Sequence, residues 1–463
     1  MDNFIDELNE QQKEAVTTTE GYVRIIAGAG TGKTKALTYR YAYLVDELGI
    51  STSNILCVTF TNKAAREMSK RIRQMIGDSD TGYICTFHGF CVKLLREDIH
   101  AINYPQNFVV MDSEDTEDIL KTVYENAHIQ SRTYTFDMAR DHISAMKNEM
   151  QHIAYLADIS NDRLLADYEK ASDIPEKVFL GYLYEQKKVY GLDYDDLITI
   201  ALHILRTDVE KCRKWQERMM YVMVDEFQDT NSRQRQLIYL LAGGNAQHLK
   251  ENHLFVVGDP KQSIYRFRGA EVSVFARVRH EIENSGGVSL QLTDNFRTVK
   301  NILSLCNHLF RTLMGEDPAQ DVFYEALQAN KENDIRPEFL KFSYSGKKEV
   351  GTVRKKEALG LARRLRELHD TEGFSYGGMA ILLQNMTHIE AMTSALRDTG
   401  IPYAVVDGRG FYDRIEIRDM LNLFTFVSDP QNDPVLLGLL RSVYVGLNDA
   451  SLTRLLLALL EEK

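Results

Sequence analysis

Cysteine, proline and tryptophan are scarce in this sequence, which has five cysteines, eight prolines and one tryptophan in 463 residues. The cysteines form no CxxC pair, so the sequence predicts neither a zinc site nor a disulfide framework. No apolar run approaches the ~18 residues that a membrane-spanning helix needs, and Met1 to Glu10 is too acidic and polar for a signal peptide. The sequence therefore predicts a cytoplasmic protein without a membrane role.

Positive charge is also in deficit, because 55 Lys and Arg residues stand against 67 Asp and Glu residues, for a formal net charge of −12. This balance gives no support to a nucleic-acid partner, since phosphate contacts require local positive charge. A basic groove remains compatible with it. The length favours about two to four domains, each with its own core.

Two stretches alternate short apolar strands with helical patterns, Tyr22 to Phe90 and Met219 to Val299. Such alternation predicts a parallel sheet covered by helices. The chain between them, Glu97 to Leu192, has charged amphipathic patterns that predict a helical insertion. A further α/β region follows, with a strand predicted at Met379 to Leu383. The strands predicted in the first two stretches are Tyr22 to Ala27, Ile55 to Thr59, Met220 to Asp225, Leu254 to Gly258 and Val288 to Leu292.

A glycine-rich run, Ala27 to Thr34, follows an apolar strand and opens a helix, as a P-loop does. Glycines let backbone N–H groups turn toward a phosphate, and the helix N-terminus adds a positive dipole. Lys33 is predicted to reach the β and γ phosphates, and the Thr34 hydroxyl to reach Mg²⁺. ATP and Mg²⁺ are the predicted cofactors. The predicted nucleotide-binding residues here are Gly28, Ala29, Gly30, Thr31, Gly32, Lys33, Thr34 and Lys35.

A second apolar run, Tyr221 to Val224, delivers two carboxylates to the end of a strand. Asp225 is predicted to hold the magnesium shell together with Thr34, and Glu226 to take a proton from the attacking water. A buried strand followed by an acidic turn is the alternative, which the P-loop makes less favourable. The two motifs together predict a P-loop NTPase.

Five further segments complete a pattern that resembles the UvrD/Rep group of superfamily 1 DNA helicases. They are Leu8 to Val16, Thr59 to Met68, Thr86 to Phe90, Gly258 to Ala270 and Asp294 to Thr298. The resemblance implies a RecA-like parallel sheet with a helical insertion and a partial second RecA-like domain. It also implies ATP hydrolysis and movement, 3′ to 5′, along single-stranded DNA or DNA with a single-stranded tail.

The resemblance also assigns roles at the nucleotide. Gln12 would contact the adenine, and Phe296 would pack on it. Gln262 would sense the γ-phosphate and Arg297 would supply it with a cation. The predicted catalytic residues are Lys33, Asp225, Glu226, Gln262 and Arg297.

The DNA-facing residues follow from the same resemblance. Aromatic faces stack on bases at about 1–3 kcal/mol each without regard to sequence, which suits a motor that must pass over any base. Core packing is the alternative for the aromatic rings and for His88, and solvated surface charge is the alternative for Lys63, Lys93 and Arg268. The predicted DNA-binding residues are Phe60, Asn62, Lys63, His88, Tyr265, Phe267 and Arg268.

The sequence departs from the family pattern because its motifs V and VI cannot be found. We therefore expect a C-terminally incomplete motor, either a fragment or a natural short form. An alternative function is an ATP-responsive DNA- or partner-binding module with little turnover. Pro260, Lys261, Phe267 and the segment Leu440 to Leu447 resemble the AddA/RecB branch, which implies a possible nuclease or repair-complex partner.

The predicted domain organisation has five parts. Residues 1–96 form the first part of motor domain 1A, 97–192 form the helical insertion 1B, and 193–290 form the second part of 1A. Residues 291–425 form an incomplete motor domain 2A, and 426–463 begin a helical 2B domain.

Overall fold

The structure is a computed structural model, and the chain divides into two compact units, Met1–Pro337 and Glu338–Lys463. Two of the predicted DNA-binding residues, Phe267 and Arg268, lie outside the described residues. The five-part domain division stays a prediction. The structure describes residues 4–77, 80–244, 253–265, 271–315, 324–332, 336–342, 350–406, 415–428, 430 and 433–461.

A sheet of six parallel strands forms the centre of the first unit, in the order β3-β2-β6-β7-β1-β8. It confirms the predicted α/β fold and all five strands predicted there, with shifts of one residue at some ends. One strand, β3, was not predicted. The strands are β1 Tyr22–Ala27, β2 Ile55–Thr59, β3 Tyr83–Thr86, β4 Val109–Val110, β5 Gly191–Leu192, β6 Tyr221–Val224, β7 His253–Gly258, β8 Val288–Leu292, β9 Asp294–Val299 and β10 Gln328–Lys331.

Helices cover both faces of this sheet, as a parallel sheet requires. Several begin at a side chain that caps the first backbone N–H groups; Thr61, for example, accepts from the N–H of Ala64. The helices of the first unit are α1 Glu10–Thr17, α2 Lys33–Asp46, α3 Asn62–Ile76, α4 Phe87–Asp98, α5 Ser113–Asn126, α6 Phe136–Asn148, α7 His152–Ala157, α8 Asn161–Lys170, α9 Ile174–Lys188, α10 Tyr194–Thr207, α11 Val209–Arg218, α12 Ser232–Leu241, α13 Val272–Asn284 and α14 Lys300–Met314.

The core consists of two hydrophobic layers, one on each face of the sheet. Strand β1 contributes to both because successive side chains of a strand point to opposite faces. Val23 and Ile25 belong to the layer formed with α2 and α3, and Tyr22 and Ile26 to the layer formed with α4, α10 and α13. The carboxyl ends of all six strands therefore meet at one fixed edge.

Apolar side chains of α5, α6, α8 and α9 form a third core, and a buried ionic cluster joins α6 and α7 to α10. Lys147 is fully buried, and its Nζ lies 2.5 Å from Asp193 Oδ2 and 2.8 Å from Asp196 Oδ2. His152 Nε2 lies 3.1 Å from Asp196 Oδ1. Burial, opposed by Lys147, raises the pKa of Asp193 to about 6. The cluster thus fixes α6 and α7 to α10, which packs on the sheet.

The second unit is helical, with a small core between α15 and α16. The strand predicted at Met379 to Leu383 is wrong, since this unit has no strand among its described residues and hence no ladder partner; Leu382 is 93% exposed. No described helix in either unit is long and apolar enough to cross a membrane. The helices are α15 Val350–Glu372, α16 Ile389–Asp398, α17 Ile415–Ser428, α18 Asp433–Arg441 and α19 Asp449–Glu461.

Candidate nucleotide and nucleic-acid site

The glycine-rich loop connects β1 to α2 and is held against helix α1. Gly30 and Gly32 have φ values of 79° and 88°, in the left-handed region that favours glycine. The buried Gln12 donates from Nε2 to the carbonyl oxygen of Thr31 at 3.0 Å, and a Cβ at Gly32 would lie 2.6 Å from that nitrogen. The loop thus turns backbone N–H groups inward and places Lys33 at the first position of α2.

The two predicted catalytic carboxylates directly follow β6, beside the P-loop lysine. Lys33 Nζ lies 3.0 Å from Glu226 Oε2 and donates to Gln262 Oε1 at 3.2 Å. Glu226 has φ 50° and ψ 42°, a left-handed conformation that costs a non-glycine residue roughly 1–2 kcal/mol. This strained backbone aims the carboxylate at the phosphate cradle.

Acidic charge at this strand end is not fully compensated. Burial, with Glu226 adding to it, raises the pKa of Asp225 to about 7 even though Lys33 acts in the opposite direction. Burial and Glu226 likewise raise the pKa of Asp229 to about 6. A divalent cation would stabilise the ionised form of Asp225.

The residues present fit Mg²⁺ held jointly with a nucleotide. Within the described ranges, no group of three or more His, Cys, Asp or Glu side chains is placed to hold a metal ion. Mg²⁺ commonly uses one or two protein ligands, substrate phosphates and water. Asp225 and Thr34 remain the predicted ligands.

Gln228 was not predicted as a site residue, yet it connects the acidic strand end to the segment after β7. Its Nε2 donates to Glu226 Oε2 at 2.5 Å, its Oε1 accepts from the N–H of Asp259 at 2.9 Å, and its carbonyl oxygen accepts from Ser263 Oγ at 3.2 Å. The sequence signal that could have identified Gln228 is its position, as a polar residue within the short acidic turn that follows a buried strand. Gln228 therefore links Glu226 to the segment Asp259 to Ser263, which contains Gln262.

The segment around β9 lies directly on the P-loop. Asn295 Nδ2 donates to the carbonyl oxygen of Ala29 at 2.6 Å. The backbone N–H of Phe296 donates to the carbonyl oxygen of Gly30 at 2.9 Å. Phe296 is 39% exposed. The Arg297 side chain is exposed and has no ion-pair partner in the described part of the chain. The structure thus brings these residues to the nucleotide site, and their roles toward ATP stay predictions.

Two predicted nucleotide-binding side chains have protein partners. Gln12 accepts from the N–H of Asn9 at 3.4 Å in addition to its contact with the P-loop. Lys35 Nζ donates to the carbonyl oxygen of Glu7 at 2.9 Å and lies 5.0 Å from the centre of the Tyr39 ring. The contacts of Gln12 and Lys35 with a nucleotide stay predictions.

The predicted DNA-facing residues within the described ranges gather at the ends of β2, β3 and β7. The rings of Phe60 and Tyr265 stack with centroids 4.9 Å apart. His88 meets the Tyr194 ring edge-on at 5.2 Å, and burial lowers the pKa of His88. Asn62 and Lys63 are exposed in the first turn of α3. The stacked Phe60 and Tyr265 rings, which we call the aromatic surface, thus follow β2 and β7, the strands on either side of β6.

Two protein-family models match the chain. The model of the UvrD/REP helicase N-terminal domain matches residues 8–283, and that of the UvrD-like helicase C-terminal domain matches residues 290–462. The chain belongs to the UvrD/Rep helicase family. The parallel sheet of the first unit is consistent with the RecA-like domains of this family. The resemblance seen in the motifs is thus confirmed at the level of the family.

Curated relatives of this UvrD/Rep family chain include two proteins named ATP-dependent DNA helicase PcrA. The protein from Staphylococcus aureus is 32% identical over 434 residues, which are 94% of this chain and 55% of the relative. The protein from Staphylococcus epidermidis is 32% identical over 460 residues, which are 98% of this chain and 58% of the relative. The chain thus spans little more than half the length of these relatives.

Two finer expectations gain no support from these matches. A C-terminal domain model aligns with residues 290–462, so the matches do not bear out an incomplete C-terminal part. The matched models and relatives are of the UvrD/Rep and PcrA type, and they do not support the AddA/RecB branch.

Proposed function

We propose that this chain is the ATP-driven motor of a helicase that moves along single-stranded DNA. One observation carries the proposal: a single short segment after β7 reaches from the nucleotide site to the aromatic surface. Gln262 Oε1 accepts from Lys33 Nζ at 3.2 Å, and three residues later Tyr265 stacks on Phe60 at 4.9 Å. A displacement of Gln262 is transmitted directly to the ring that would contact a base.

The nucleotide chemistry follows from the partners of Lys33. Phosphate oxygens would replace the oxygens of Glu226 and Gln262 as acceptors for its ammonium group. The released Glu226 carboxylate can then take a proton from the attacking water. Arg297 would neutralise charge that develops on the γ-phosphate. Mg²⁺, held by Asp225 with Thr34, would supply charge neutralisation of the phosphates.

Movement would follow from closure and reopening around the nucleotide. Gln228 bonds both Glu226 and the backbone of Asp259, so a change at the catalytic carboxylate is transmitted to the segment that ends at Tyr265. Bases stacked near this ring would be shifted in each cycle. The five-part domain division predicted from the sequence belongs to the same proposal.

ATP hydrolysis measured with and without single-stranded DNA tests the proposal. We expect DNA to stimulate turnover, and Lys33→Ala and Glu226→Gln to abolish it, since each removes a group beside the phosphates. Lys170→Ala, at an exposed position in α8, is the matched control and should retain the stimulation. Turnover that saturating DNA leaves unchanged would refute the motor function.

The direction of movement, 3′ to 5′, is part of the proposal and rests on the resemblance in the motifs. Partial duplexes that carry a single-stranded tail at either the 3′ or the 5′ end test it. We expect strand displacement from the 3′-tailed substrate, and displacement from the 5′-tailed substrate alone would contradict the direction. A nuclease or repair-complex partner is a separate expectation, which co-purification with the native protein would test.

A further inference from the structure

Four cations lie along one face of helix α3. Lys63, Arg66, Lys70 and Arg73 are spaced by three, four and three residues, which places them on one side of a helix with 3.6 residues per turn. All four side chains are exposed, and none has an ion-pair or hydrogen-bond partner within the part of the chain that the structure describes. A local excess of positive charge thus exists in a chain whose net charge is −12.

Three of these cations line a groove of about 810 Å³, which we call the α3 groove. Arg66, Lys70 and Arg73 form one wall together with Asn62, and β3 contributes the other wall. Among the described strands, β3 stands at the edge of the six-stranded sheet and pairs with β2 alone. The groove is therefore open to an extended ligand along the length of α3.

Acidic side chains do not neutralise this surface. None of the residues that line the α3 groove is Asp or Glu. The acidic residue within α3, Glu67, pairs with Arg71 at 2.5 Å, and neither residue lines the groove. Salt bridges elsewhere in the chain pair many exposed cations with carboxylates. A row of cations along one wall of a groove, without such partners among the described residues, indicates an anionic ligand.

We infer that the α3 groove binds the phosphate backbone of a single-stranded nucleic-acid segment that continues beyond the aromatic surface. The inference rests on the proposed function, because the strand must first bind at Phe60 and Tyr265. Continuity supports it: Asn62, two residues after Phe60, lines the groove at its amino-terminal end. Lys63 and Arg73 are ten helical steps apart, a rise of about 15 Å, which is long enough for a strand to place more than one phosphate beside the cations.

The expected effect is a salt-dependent gain in affinity. Each neutralised phosphate contributes a slope of about −0.7 to the plot of log affinity against log salt for single strands. Loss of three contacts would therefore flatten the slope by roughly 2. Between 50 and 200 mM salt, the wild-type protein would lose about 20-fold more affinity than a variant without the three cations.

Oligothymidylates of graded length, titrated against the 463-residue chain at several salt concentrations, test the inference. The test variant is Arg66→Gln/Lys70→Gln/Arg73→Gln. We expect it to bind the shortest oligonucleotides as the wild type does, and to lack the further affinity that the wild type gains from longer oligonucleotides. The charge-retaining Arg66→Lys/Arg73→Lys should keep this gain, since phosphate contacts depend mainly on charge.

A matched control removes the same charge elsewhere. Arg132→Gln/Arg163→Gln/Lys170→Gln changes three exposed cations of the α5 to α9 region and should keep both the length gain and the salt slope. Equal thermal unfolding of all variants would show that the test variant is folded.

The outcomes separate the two proposals. If the wild type binds no oligonucleotide of any length, the proposed function fails. If the wild type binds and the test variant keeps the length gain and the slope, the groove inference is overturned while the proposed function stands. If polyglutamate competes as well as the oligonucleotide for the wild type and not for the test variant, an acidic protein segment is the ligand and the nucleic-acid inference is overturned.

Discussion

Replacement of Asp225 by asparagine should stabilise the protein in the absence of nucleotide and Mg²⁺. The pKa of Asp225 is raised from its usual 3.8 to about 7, chiefly by burial. A carboxyl whose pKa is higher in the folded than in the unfolded state destabilises the fold as pH rises between those two values. A difference of about three pH units, at about 1.4 kcal/mol each, corresponds to roughly 4 kcal/mol as an upper value. Asparagine has nearly the same shape and can still accept from the N–H of Glu226.

Urea denaturation of both proteins between pH 4 and pH 8, with a chelator present, measures this difference. The gain of Asp225→Asn should be absent near pH 4, rise through the interval and level off above about pH 7. Asp162→Asn is the control, since Asp162 is exposed in the first turn of α8 and its replacement should not give this pH dependence. A variant less stable than the wild type at pH 8, or a pH-independent difference, would refute the reasoning.

Three further variants test other contacts. Gln228→Ala should lower DNA-stimulated kcat about tenfold or more, because it removes a charge-assisted hydrogen bond to Glu226; an unchanged kcat would contradict this. Lys147→Met should lower the free energy of unfolding by about 3–5 kcal/mol, because it leaves the buried carboxylates of Asp193 and Asp196 without the lysine that they share; denaturation at neutral pH checks it against wild type. Gly32→Ala should weaken binding of a fluorescent ATP analogue about tenfold, since a left-handed alanine costs about 1–2 kcal/mol, and wild-type affinity would argue against a strained loop.

The inner strands β1, β2, β6 and β7 could be predicted because they are buried on both faces and therefore read as continuous apolar runs. Strand β3 lacks that signal: Tyr83–Thr86 has four residues, all half-buried, at the edge of the sheet. The opposite error occurred at Met379 to Leu383, an apolar run without a neighbouring strand among the described residues. An apolar run predicts that a segment is buried. A β-strand also requires a neighbouring strand to hydrogen-bond with, and the run itself does not reveal one.

The proximity of Lys33 to Glu226 could be predicted because both residues follow parallel strands, whose carboxyl ends meet at one edge. Amides to which the motif resemblance assigned no role were harder, since an amide has a donor end and an acceptor end and its role depends on what each end reaches. Gln228 and Asn295 were missed for this reason; Asn295 donates to the carbonyl of Ala29, 266 residues away in sequence. Only the folded chain brings such partners together.

The segment that joins Gln262 to Tyr265 has a consequence for the evolution of this chain. Three residues extend at most about 10 Å, so one added or deleted residue changes the reach of the segment by about a third. A change of one residue in its length would leave both the P-loop and the Phe60 ring intact while misaligning the two sites by a few ångströms. We therefore expect substitutions to be tolerated here more readily than insertions or deletions, because the length of the segment, more than its composition, determines how Lys33 and the Phe60 ring are aligned with each other.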